Sequence, residues 1–90
     1  MINTLKSEPL DSLLVERGTV QKCLLFQQEY FSVSVLVLSP DSKIKKHTHF
    51  VDNEKYVFET GEVQVCIKGE EHELESSTDS ELRVLSIKWA

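Results

Sequence analysis

Ninety residues, 40% of them hydrophobic and 28% charged, suffice for one globular core and are too few for two, so a single domain over residues 1–90 is expected. The formal net charge of −5 and a pI near 5.1 argue against a nucleic-acid partner, because such binders gain affinity by setting Lys and Arg against phosphates. No stretch approaches the ~20 apolar residues of a membrane span, and residues 1–6 lack the basic-then-apolar pattern of a secretory signal, which predicts a cytoplasmic location and no membrane partner.

A chain of this size buries only about 60% of its unfolded surface, so a bound metal or a second subunit would add needed stability, and a homodimer is expected. Cys23 and Cys66 fit neither a Cys-x-x-Cys pair nor a zinc-ribbon spacing; two buried free thiols are expected.

In chain order, Pro9 disfavours helix at Glu8, and Leu13, Leu14 and Val15 form a short apolar group, which reads as a strand-like arm or one helical turn. After Gly18, residues 20–26 form the first clear strand, ended by Gln27, Gln28 and Glu29. Over residues 30–38, Phe31, Val33, Val35 and Val37 share one face and Ser32, Ser34, Leu36 and Leu38 the other, the period of two that a strand demands. Pro40, Asp41 and Ser42 then turn the chain, and residues 44–49 resume as a strand.

Residues 54–58 and 63–67 read as a hairpin around Gly61, and a second hairpin is expected at Lys68 and Gly69, returning through His72 and Leu74. A polar loop over 75–80 precedes the last strand, residues 82–89, with Leu85, Ile87 and Trp89 on one face. About seven short strands and no helix predict an all-β sandwich, jelly roll or small barrel.

One cluster carries chemistry. His47 and His49, two apart on a strand, project from the same face, and the four residues that follow can turn the chain so that Glu54 comes opposite both rings. Two His and one carboxylate on one side of an ion leave positions open for water or substrate. His-Thr-His could equally be a surface repeat and Glu54 a solvated charge; what weighs against this is alternation, since an inward Glu54 shares its face with Tyr56 and Phe58. A carboxylate heading an aromatic inner face needs a charge partner, and a metal supplies one.

His47-x-His49-x4-Glu54-x6-Gly61, with Pro40-Asp41 upstream, resembles the first sequence motif of the cupin superfamily. The resemblance implies a cupin-like double-stranded β-helix, a small jelly-roll barrel, in which His47, His49 and Glu54 match three of four metal ligands. Asp41 stands where the motif normally has glycine, a mild departure because Asp tolerates turn conformations. The fourth ligand is usually a histidine in a second motif with a Pro-x-Gly turn, and the sixteen residues after Leu74 contain neither His, Pro nor Gly. His72 is read first as a partly buried histidine that does not ligate, with ligation as the alternative.

Tyr56 and Phe58 are expected to be core aromatics that also shape a pocket wall for substrate. Lys43, Lys45 and Lys46 would attract an anion or simply solvate a strand edge. Two functions follow. The first is a metal-dependent enzyme or small-molecule binder holding Fe, Mn, Ni or Zn, among which imidazole and carboxylate select weakly. The second is a non-catalytic module that binds or regulates another protein through an apolar patch or open sheet edge, with metal structural or absent.

Overall fold

The fold is known from a computed structural model that describes residues 6–48, 53–58, 63–67 and 69–89. They form nine strands and no helix: β1 Lys6–Pro9, β2 Val15–Arg17, β3 Val20–Gln28, β4 Phe31–Leu38, β5 Lys43–His47, β6 Asn53–Phe58, β7 Val63–Cys66, β8 His72–Glu75 and β9 Leu82–Trp89. Among the described residues no helix is long and apolar enough to cross a membrane. All pairings are antiparallel, in a six-stranded sheet of order β1-β3-β4-β9-β6-β7 and a three-stranded sheet of order β2-β5-β8.

The strand count exceeds the expected seven because the first eighteen residues, expected as a strand-like arm or one helical turn, take the extended alternative and supply two short strands, β1 and β2. A second correction concerns β7 and β8. Gly69 does turn the chain, at φ +83°, but no hairpin results: β7 pairs with β6, while β8 crosses to pair with β5 in the other sheet. The sequence of β8 suits that place, with His72 and Leu74 buried and Glu73 and Glu75 outside, so it closes the small sheet over the core. The turn around Gly61 lies outside the described residues.

The core lies between the sheets. Val20, Leu36, Leu38, Tyr56 and Val84 from the large sheet meet Ile44 and Leu74 from the small one, and Leu38 is fully enclosed. In β4 the inward face is Ser34, Leu36 and Leu38, and in β9 it is Val84 and Ser86, leaving the valines of β4 and Leu85, Ile87 and Trp89 on the outer face. Cys23 is half-buried, not buried as expected, because it sits on that outer face opposite Val35. The thiol of Cys66 lies outside what the structure describes.

One end of the barrel is tied by hydroxyls. Ser42, with no exposed surface, donates its N–H to Ser76 Oγ (2.8 Å), and its Oγ accepts from Thr19 N (3.0 Å) and pairs with Ser39 Oγ (2.7 Å). The buried polar atoms of this turn thus satisfy one another. Gly18 packs directly on Ser42. Asp41, where the motif has glycine, adopts φ +56°, the left-handed conformation that Asp accepts more readily than most residues. Arg17 holds it from outside, Nε 3.0 Å from its carboxylate, while Nη2 lies 2.9 Å from the Glu75 carboxylate.

Candidate functional site

The register of the large sheet lays side chains across its inner face in rows. Lys22, Leu36, Val84 and Phe58 form one row; Leu24, Ser34, Ser86 and Tyr56 the next; Ser32, Lys88 and Glu54 the third. Glu54 and Tyr56 are 1% and 3% exposed, and Phe58 packs half-buried against the core, so all three face inward together.

Opposite them, β5 and β8 supply His47 and His72, which are direct partners in the ladder. Between Ile44 and His47 the register shifts: three steps along β5 match two along β8. Without this bulge, strict alternation from Ile44 would send His47 outward; with it, Lys45 and Lys46 are both exposed and Ile44 and His47 both face in.

The side chains converge. The His47 and His72 rings lie 4.2 Å apart at 69°, His72 Nε2 is 3.7 Å from Glu54 Oε2, and the Tyr56 hydroxyl donates to that same oxygen. His72, 5% exposed, also stands edge-on to the Tyr56 ring at 5.6 Å, so it lies inside the barrel. His47 Nδ1 is 2.6 Å from the Lys45 carbonyl oxygen. A carbonyl only accepts, so His47 Nδ1 carries the proton of this hydrogen bond. Burial holds the His72 pKa below 6.5; the charges of His47 and Lys88 add to this and Glu54 opposes it, leaving the ring neutral at pH 7. His49 lies outside the described residues. Among the described residues no group of three or more His, Cys, Asp or Glu side chains is arranged to hold a metal ion.

Beside this cluster is a small cavity of about 40 Å³ lined by Lys22, His47, Tyr56, Ser86 and Lys88, the rest of its described lining being Leu and Ile. It has room for about three waters, well below the size of a drug-like pocket. Burial lowers the Lys22 pKa from its ordinary value, Lys88 lowers it further, and Glu8 and Glu54 work the other way. These two lysines escaped the sequence reading, which singled out Lys43, Lys45 and Lys46. Lys43 instead pairs with Glu16 (3.2 Å) and Glu73 (3.8 Å), and Lys45 and Lys46 are exposed. The available signal was period two in β9: Val84, Ser86 and Lys88 share a face.

Solved structures share this architecture. A predicted oxalate decarboxylase from Thermotoga maritima superposes with a TM-score of 0.83 over 99% of this chain and 97% of its own, at 18% identity. A cupin 2 conserved barrel domain protein from Rhodopseudomonas palustris gives 0.79 over 96% of this chain and 72% of its own, at 10% identity. The fold is the cupin barrel. The polyketide cyclase of Streptomyces resistomycificus also shares it, with a TM-score of 0.71 at 18% identity over 94% of this chain and 73% of its own. No protein-family model and no curated protein sequence matches this chain. In this cupin barrel β5, β6 and β8 bring His47, Glu54 and His72 together inside the barrel.

Proposed function

We propose that this chain is a metal-binding cupin-fold protein that takes a small molecule beside the ion, with His47, His49, Glu54 and His72 as the protein ligands. The observation that carries the reading is the convergence of His47, Glu54 and His72 on the cavity side of the barrel, with Glu54 1% exposed. A carboxylate so buried is stabilised by cations and hydrogen-bond donors, and Tyr56 supplies one donor. The bound ion would supply Lewis acidity toward an oxygen ligand. Fe, Mn, Ni and Zn all suit this donor set. Neighbouring cupin structures carry the names of a decarboxylase, a cyclase and a sugar phosphate isomerase, and a fold that hosts such different reactions selects none of them.

The test is metal analysis of tag-free protein beside His47→Ala and Glu54→Gln, all shown to be folded. About one equivalent in the parent and at least a tenfold loss of affinity in both variants is expected. Equal metal content in all three, or none after incubation with each ion, refutes the assignment.

A second reading is favoured by a separate observation. Val63, Val65 and Ile67 are 54%, 53% and 64% exposed at the edge of the large sheet, beside Val57, Leu85 and Ile87 on the same outer face. Lys55 lies between Val65 and Ile87 on this face; exposed apolar side chains gathered at a sheet edge mark protein contact, and a second copy of this chain is the proposed occupant.

A further inference from the structure

The charge of the barrel cavity is set by residues outside the metal cluster. Lys22 enters from β3 and Lys88 from β9, both half-buried, and no carboxylate is among the described residues that line the cavity. Glu54, the neighbouring buried acid, does not line it and accepts the Tyr56 hydroxyl. The chain as a whole carries −5, whereas the described lining of this cavity holds two lysines and no carboxylate.

Lysine is seldom placed on the inner face of a sheet, because its ammonium loses hydration there. Two ammonium groups bordering one small cavity with leucine and isoleucine walls also repel each other more strongly than in water. Glu54, cross-strand from Lys88 and attractive to Lys22, offsets part of this, and an anion between the two lysines would offset the rest. The cavity's competitor, a groove of about 360 Å³ beside Pro9 and Gly18, has no ionisable side chain among its described lining.

We propose that the cavity binds a small carboxylate anion between Lys22 and Lys88, with the Ser86 hydroxyl as a further donor and the apolar wall against its short carbon chain. This deepens the small-molecule reading above but does not depend on the metal, since the two cations belong to the chain itself. About 40 Å³ admits a few heavy atoms and excludes nucleotides and sugar phosphates. Carboxylate is favoured over phosphate because the described lining holds no arginine and no helix N-terminus, the devices that match a tetrahedral dianion.

The experiment is a titration of metal-stripped, full-length protein followed by amide NMR, using propionate, its neutral isostere propionamide, and inorganic phosphate. Propionate is expected to shift the amides of Lys22, Ser86 and Lys88, and to bind roughly tenfold or more tightly than propionamide. Lys22→Gln and Lys88→Gln should each weaken propionate roughly tenfold, with Lys22→Arg retaining binding. Equal binding of propionamide, stronger binding of phosphate, insensitivity to both Gln variants, or no propionate binding by the folded protein overturns the proposal. Metal content measured on unstripped protein and the same Lys variants separates its failure from that of the metal site.

Discussion

His47 and His72 face each other in register across β5 and β8, their rings 4.2 Å apart. Protonating His72 at this spacing would place a charge in a buried site beside His47 and Lys88, and its pKa is accordingly held below 6.5, by burial foremost. The unfolded chain binds that proton near 6.5 and the folded one does not, so stability is present above about 6.5 and is lost as pH falls toward the depressed value. In metal-stripped protein, urea midpoints should therefore drop as pH falls below about 6.5, and His72→Gln should flatten that part of the profile. Parallel profiles for parent and variant would refute this.

Tyr56→Phe keeps the ring, which is 3% exposed, and removes the hydroxyl that donates to Glu54. A buried carboxylate that loses a donor costs about 1–3 kcal/mol, so the variant should unfold at lower urea with an unchanged slope. Unaltered stability would mean that the hydroxyl contributes nothing to holding Glu54.

At Gly18 two effects add. Its φ is +75°, and a Cβ there would collide with the Oγ, Cβ and Cα of Ser42, in a turn with no room to yield. Left-handed strain of about 1–2 kcal/mol and overpacking of about 1–3 kcal/mol predict that Gly18→Ala costs about 2–5 kcal/mol. Chemical denaturation measures it, and a cost below about 1 kcal/mol contradicts the packing described.

Val65 is exposed on the outer face next to Lys55 and Val63. If this face holds a second copy, sedimentation of the parent should show a dimer and Val65→Lys should raise its dissociation constant at least about tenfold, by burying an unpaired charge. A parent that stays monomeric at high concentration rejects the interface.

Much of the fold was legible because period two is a local signal. The two faces of β4, the inward turn of Glu54 with Tyr56, and the turn at Asp41 all follow from neighbours in sequence. What stayed hidden depends on pairing at a distance. The bulge that aims His47 inward is defined only against β8, and the transfer of β8 to the small sheet, which brings His72 to Glu54, depends on which sheet needs cover. Lys22 and Lys88 read as ordinary strand lysines because their shared cavity exists only after β3, β4 and β9 are in register.

Strand β9 lies between β4 and β6, and it is the element latest in the chain. Without it the large sheet separates into a β1-β3-β4 ribbon and a β6-β7 hairpin, each with an apolar strand open along one side. During biosynthesis both halves must wait for β9 before they can join, so the nascent chain passes through a stage rich in unpaired strand edges. Assembly should accordingly be slow and prone to intermolecular pairing, and changes that weaken β9 would lower the yield of folded protein before they altered any property of the finished barrel.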